Sequence, residues 1–444
     1  MFTKLKKSLL NINYKTFVAL LVLGLVPTIY TTVRVFFLGQ LPGEYSYSIA
    51  GQLSWVNLLY EVMKEAIILP LFYFIGKVKD DKGEFANRVR TGMLLALGVY
   101  AVLSVVVMIF AEPLLTLMAT DASILEASAS YIRIESIANI FSILTEFVLV
   151  ALVTVNKNKY LYAFTGARLV LCLVSDTFLV STLPISANLG VNGIGYSNII
   201  VNAILLVVSI IFLTKEEIKV FTKSKLNFSW AKEFAKVGGI SGVESLVRNV
   251  AYMVMIARMV NVVGEQGTYW VANNFIWGWL LLPVMQLGEL IKQEVATNKE
   301  NVRKNSLGYF GITAIISVLW FVSIPVWKPF MTHVLGFTDV DKLFSLVLLL
   351  VGFYVLYAIQ NVFDSTFYGL GKTNYMLFES VVTNSIYYGI AFILYVTNVW
   401  TPTLTGIALL FGIGNAFDSV VSLIAYAFLL KKEKINILHV DEIA

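Results

Sequence analysis

Residues 14–39 read YKTFVALLVLGLVPTIYTTVRVFFLG, and between Lys15 and Arg34 the chain runs 18 residues without a charged side chain. About 20 predominantly apolar residues span the hydrocarbon core of a bilayer as a helix, so this stretch reads as a transmembrane segment. The same composition holds throughout the 444 residues, which are 58% hydrophobic and 14% charged with a mean hydropathy of +0.78. Soluble domains sit near roughly 45–50% apolar and about 25% charged. Apolar runs between charged or turn-rich breaks predict twelve spans, at 14–39, 48–76, 91–118, 128–155, 160–183, 190–214, 232–261, 268–293, 306–328, 342–368, 374–398 and 404–430. The fold class is therefore an all-α polytopic membrane protein. So little chain remains outside the spans that a water-soluble enzyme with an appended anchor is excluded.

The formal charge is only +5, and its placement says more than its size. Basic residues gather in the breaks after even-numbered spans: Lys77, Lys79, Lys82, Arg88 and Arg90; Lys157 and Lys159; Lys215, Lys219, Lys223 and Lys225; Lys299, Arg303 and Lys304; Lys372. The odd-numbered breaks hold Lys328 and Lys342 or are acidic, as around Asp121 and Glu126. By the positive-inside rule, both termini are expected in the cytoplasm of a multi-pass plasma-membrane protein. Residues 1–15, with Lys4, Lys6, Lys7 and Lys15, read as a cytoplasmic leader into a retained helix. The basic runs are solvated loop charge, with no case for nucleic-acid binding.

The longest break, 215–231, falls at the middle and carries Lys, Glu, Ser and Asn. It divides the chain into a half at 1–214, a cytoplasmic linker at 215–231, and a second half with a cytoplasmic tail at 232–444. A repeat supports the division. Val33-Arg34 recurs as Val247-Arg248, and Trp55-x-x-Leu-Leu-x-x-Val-Met63 recurs as Trp277-x-x-Leu-Leu-x-x-Val-Met285. Six-plus-six repeats are a transporter architecture, with the substrate path between halves; one chain supplies both, so a monomer is expected to suffice.

Enzyme chemistry finds little to work with. Cys172 is the single cysteine, so neither a disulfide nor a cysteine metal cluster forms within the chain. His333 and His439 are far apart, in or near loops. Gly369-Leu-Gly-Lys-Thr373 resembles the end of a phosphate-binding loop, but its first glycine would fall at Thr366 and no strand precedes it. No cofactor or resident metal is expected, and the chain is expected to be no enzyme.

Ionisable residues inside spans cost about 2.5–3.5 kcal/mol each on insertion scales, so each calls for a partner or a function. Glu61, Lys64 and Glu65 share one face of span 2 at i, i+3 and i+4. Lys64 would neutralise one acid and Arg34 of span 1 the other. Glu146 lies in span 4. Asp176 in span 5 has no basic residue within a helical turn, and either binds an exchangeable proton or Na+ with help from Ser175, Thr177, Asn198 and Asn202, or pairs with a neighbouring helix. In the second half, Glu244 and Arg248 stand at i and i+4 and would pair, and Glu289, Asp364, Glu379 and Asp418 follow. Pro27 removes a hydrogen bond in mid-span and is expected to kink span 1.

Four segments, in order, resemble the MATE (multidrug and toxic compound extrusion) family and the superfamily it shares with lipid-linked-sugar flippases. Val33-Arg-Val-Phe-Phe-Leu-Gly39 is similar to its first-helix ending V-D-x-x-x-x-G, and Leu173-Val-Ser-Asp-Thr177 to its fifth-helix N-x-x-L-D. Gly190-Val-Asn-Gly-Ile-Gly195 is similar to the entry to its sixth helix, and Tyr368-Gly-Leu-Gly-Lys-Thr373 to its R-G-x-G-D-T turn. The resemblance implies two six-helix halves forming a V-shaped central cavity. It also implies a secondary antiporter that exports small amphiphilic compounds by alternating access, in exchange for H+ or Na+. Asp176 falls on the family's fifth-helix aspartate and Pro27 on a first-helix proline; Glu61, Glu65 and Glu146 complete the expected coupling set. Arg34, Arg248, Glu244, Glu289, Asp364, Asn198 and Asn202 are expected at the substrate cavity. Arg34 replaces the family's first-helix acid. With Arg248 it offers a second reading, a flippase or exporter whose arginines clamp a lipid-linked phosphate or organic acid. The leading reading instead neutralises Arg34 with Glu61 or Glu65.

Overall fold

The computed structural model describes residues 2–42, 45–157, 159–218, 220 and 225–437, and among these it contains helices and no strand. Residues 219 and 221–224 of the predicted linker, and His439, lie outside the described residues. The helices are α1 Phe2–Leu10, α2 Tyr14–Gln40, α3 Ser46–Gly76, α4 Lys82–Ile109, α5 Ala111–Leu117, α6 Leu125–Thr154, α7 Lys159–Leu179, α8 Asn192–Lys215 and α9 Ala231–Tyr252. They continue with α10 Arg258–Val262, α11 Gln266–Phe275, α12 Leu282–Thr297, α13 Glu300–His333, α14 Val340–Gly369, α15 Thr373–Val382, α16 Gly389–Val396 and α17 Leu404–Lys432. π-Helical turns at Met253–Ala257, Ile276–Leu280 and Thr383–Tyr388 join α9 to α10, α11 towards α12, and α15 to α16.

Among the described residues ten helices, counted through their π turns, are long and apolar enough to cross a membrane. The bent pair Gln266–Leu280 and Leu282–Thr297, which meet at 52°, makes an eleventh when the two are counted as one span. By length and composition, then, the expected count of twelve is not reached. The predicted span at 48–76 is present as α3, 31 residues long, but its polar first turns and its Glu61, Lys64 and Glu65 set it apart from the others. Two other departures trace to prolines. The predicted span 91–118 breaks at Phe110 because the ring of Pro113 cannot follow a regular turn around the carbonyl of Ile109. Pro283, in the first turn of α12, likewise cannot donate to Trp279, where the π turn and the bend occur. Pro27, by contrast, lies inside an unbroken α2.

The chain forms two compact units, Val33–Trp270 and Met1–Thr32 with Val271–Ala444. In the first, α6 packs on α3, α4 and α8, α7 on α8, and α3 on α9. Its core gathers Trp55, Leu71, Phe74, Tyr100, Ile132, Phe147 and Trp230. The packing of α3 on α9 depends on glycine: a Cβ at Gly238 would stand 2.2 Å from the carbonyl oxygen of Ala66, and one at Gly242 3.1 Å from the Ala66 Cβ. Four residues apart, these glycines share a face and let two membrane helices approach closely.

In the second unit, α14 packs on α12, α13 and α17, and α15 on α17. The leader forms α1, which packs on α13, with the Ser8 hydroxyl accepting the backbone N–H of Gly308 at 2.8 Å. The π turn before α12 leaves carbonyls that side chains must satisfy where water is absent. Thr28 donates to the Gly278 carbonyl at 2.9 Å, and the Trp320 indole to that of Leu280 at 2.9 Å.

Gly238→Val is expected to separate α3 from α9 and destabilise the protein by about 1–3 kcal/mol, the usual cost of overpacking. Thermal unfolding in detergent reads the change; wild-type stability in this variant contradicts the close-packing account.

Candidate functional site

Asp176 is fully buried on α7, and a cation does reach it from another helix. The Arg34 Nε donates to Asp176 Oδ2 at 2.7 Å, and its Nη2 to Oδ1 at 3.2 Å. Nη2 also donates to Asn198 Oδ1 at 2.7 Å, and the Asn198 amide donates to Glu135 Oε1 at 2.7 Å. Four helices, α2, α7, α8 and α6, thus share one polar network whose acids are Asp176 and Glu135 and whose base is Arg34. This corrects the expected neutralisation of Arg34 by Glu61 or Glu65. It also shows the second alternative for Asp176, pairing with a neighbouring helix. Asn198 bridges Arg34 to Glu135, while Asn202, four residues on, accepts from Arg168 at 3.1 Å. Glu135, 4% exposed, and Arg168 were missed by the sequence reading, although both lie well inside predicted spans, where any ionisable residue is a signal.

A second cluster lies on α3 and α6. Lys64 Nζ stands 3.8 Å from Glu61 and 3.3 Å from Glu146. These side chains keep 45%, 37% and 34% exposure for Glu61, Lys64 and Glu146. They line a polar cavity of about 200 Å³ together with Asn57, Tyr60, Tyr100, Asn139 and Ser142. The amide nitrogen of Asn139 is buried with no hydrogen-bond partner among the described residues. Charged groups at membrane depth characteristically face such cavities.

The third cluster follows from the close approach of α3 and α9. Arg248 Nη2 contacts Glu65 at 2.6 Å, and its Nη1 contacts Glu244 at 3.0 Å. The predicted Glu244 and Arg248 pair is present, and Glu65 takes Arg248 in place of Arg34. Neither arginine therefore carries unmatched charge. At Lys64 and at Arg248 two carboxylates face one cation, whereas Arg34 pairs with Asp176 and reaches Glu135 through Asn198, with Arg168 on the adjoining Asn202.

In the other unit, α14, α15 and α17 bring together three acids without a paired Lys or Arg among the described residues. Gln360 donates to Asp418 at 2.6 Å and to Asp364 at 3.3 Å. Thr383 donates to Asp418 at 2.6 Å, and Ser422 to Asp364 at 3.2 Å. Glu379 is buried beside them, its Oε1 without a partner among the described residues. Glu289, expected with Asp364, instead pairs with Lys292 at 2.7 Å and is half-exposed. Among the described residues no three His, Cys, Asp or Glu side chains are arranged to hold a metal ion.

The MatE family model matches residues 79–183, a stretch that contains Glu135, Glu146 and Asp176 and excludes Arg34 and Arg248. No curated protein matches the chain in sequence. Several solved structures share its fold. An inward-facing multidrug resistance MATE family transporter of the MOP superfamily is 16% identical at a TM-score of 0.75, over 92% of this chain and 95% of its own. An outward-facing MATE family transporter is 15% identical at 0.68, over 95% and 96%. A MOP superfamily transporter from Pyrococcus furiosus, described by the reverse polarity of its binding pocket, is 15% identical at 0.68, over 97% and 98%. The chain thus carries a MatE region within the fold of the MATE transporters.

Arg34→Ala leaves Asp176 and Glu135 buried without a counter-charge and is expected to cost about 3–5 kcal/mol, whereas Asp176→Asn, which leaves Arg34 matched to Glu135, costs less. The double change Arg34→Leu with Asp176→Leu is expected to lose less than Arg34→Ala alone. Strictly additive losses in unfolding measurements contradict the pairing.

Proposed function

We propose, from the MATE transporter fold as premise, that the chain is a secondary active transporter. It exports small amphiphilic organic compounds by alternating access in antiport with H+ or Na+. The observation that carries this reading is the excess of one carboxylate over cations at Lys64, which faces Glu61 and Glu146, and at Arg248, which faces Glu65 and Glu244. A cluster short of one positive charge at membrane depth binds a proton or a monovalent cation. Organic cations compete for the same neutralising position, and that competition is the elementary requirement of antiport. The cavity at Glu61, Lys64 and Glu146 is open enough for exchange, whereas Asp176 is sealed and its exchange depends on Arg34 moving off it. Solved relatives described as inward-facing and outward-facing support the alternation.

The second reading, an exporter of an anionic amphiphile, is favoured by one observation: Arg34 stands where the family pattern has an acid, and a solved relative is described by a pocket of reverse polarity. It requires Arg34 or Arg248 to exchange its carboxylates for those of the substrate.

Reconstituted into proteoliposomes, the protein is expected to drive efflux of a fluorescent lipophilic cation under an imposed proton or sodium gradient, above empty liposomes. Asp176→Asn and Glu61→Gln are each expected to lower that efflux at least tenfold without loss of folded protein. Unchanged efflux in Asp176→Asn removes its coupling role. Transport of an anionic lipid or organic acid, with none of the cation, establishes the second reading.

A further inference from the structure

The α3–α4 loop, the start of α4, the residues that follow α6 and the end of α8 line a cavity of about 460 Å³ that no part of the transport reading uses. Its wall carries Lys79, Lys82, Lys157 and Lys215, and its apolar lining is Phe85, Val155 and Ile218, of which Phe85 and Ile218 are buried. Two acids share the rim and both are already engaged. Glu216 pairs with Lys157 at 2.6 Å and accepts the Tyr160 hydroxyl at 2.6 Å, and Glu217 pairs with Lys82 at 2.9 Å. The hydrogen bonds from Lys157 and Tyr160 hold the Glu216 carboxyl below its ordinary value, so it stays charged and keeps its lysine. Lys79 and Lys215 have no acidic partner among the described residues.

The arrangement is an open pocket with a cationic rim and buried apolar side chains, Phe85 and Ile218, beside it. Lysine ammonium groups bind phosphate as point charges, and an apolar floor beside them suits glycerol carbons and the first methylenes of a lipid. Under the positive-inside reading the rim faces the cytoplasmic leaflet, where anionic lipids concentrate and attract nearby Lys and Arg side chains. We propose that this pocket binds the phosphate headgroup of an anionic phospholipid through Lys79 and Lys215. Bound there, the lipid ties the α3–α4 loop, the α6–α7 loop and the end of α8 to one another and stabilises the unit that holds Asp176. A phosphate group also exists free in solution, and the two sources separate by experiment. The proposal does not rest on the transport reading.

The test uses the full chain purified in a neutral detergent, titrated with short-chain phosphatidylglycerol, short-chain phosphatidylcholine or inorganic phosphate, and followed by its thermal unfolding midpoint. Phosphatidylglycerol is expected to raise the midpoint in a saturable manner, and the other two to leave it within error. In Lys79→Gln with Lys215→Gln the apparent affinity is expected to fall at least tenfold, and in Lys79→Arg with Lys215→Arg to be retained. If the paired glutamine variant does not fold, Lys215→Gln alone is compared by native mass spectrometry of lipid-bound protein. A stabilisation by inorganic phosphate equal to that by phosphatidylglycerol assigns the site to the free anion and overturns the lipid. Equal response to phosphatidylcholine, or an unchanged response in the glutamine variants, overturns the site altogether.

Discussion

Arg34 reaches Asp176 across 142 residues of sequence, and both groups lie among apolar helices where a lone charge is costly. The arrangement of four helices follows from that cost. α2 must bring its last turns beside α7, Asn198 on α8 must turn its carbonyl to the guanidinium, and its amide then reaches Glu135 on α6. The same constraint recurs on α3, whose three charged residues look in two directions. Glu61 and Lys64 meet Glu146 on α6, while Glu65 meets Arg248 on α9. The close approach that permits the second pairing comes from Gly238 and Gly242, so small residues on one face set the charge balance on another.

Pairing does not exhaust these clusters. A buried pair that only held the fold together would be matched one to one, since each added charge raises the desolvation cost. Here Lys64 and Arg248 each meet two acids. On the proposed reading the surplus carboxylate is where a cation exchanges, and the open setting for it is the cavity beside Glu61. Asp364 and Asp418 of α14 and α17 accept instead from Gln360, Thr383 and Ser422, and with Glu379 of α15 they have no paired cation among the described residues.

Most of the fold was legible because apolar run length and the bilayer thickness are tied by one physical dimension. Helix bounds fell within a few residues for α7, α8, α14 and α17. The misses are prolines read as ordinary residues, Pro113 and Pro283, whose effect depends on whether neighbouring side chains rescue the freed carbonyls. Pro27 sits in an unbroken helix, and sequence alone does not display that difference. Of the sites, the i, i+4 pair of Glu244 and Arg248 was legible because one helix contains both partners. The pairing of Arg34 with Asp176 was not, since it depends on which helices are neighbours. Glu135 was overlooked on the helix where Glu146 was found.

The central claim is that a cation leaves these clusters as the transported compound passes. The most direct measurement is the ion movement itself: proteoliposomes loaded with a pH-sensitive dye, or assayed for sodium flux, are given a gradient of the lipophilic cation and no ion gradient. The account predicts uphill movement of protons or sodium opposite to the substrate, lost in Asp176→Asn. Equilibration of the substrate with no accompanying ion movement contradicts it.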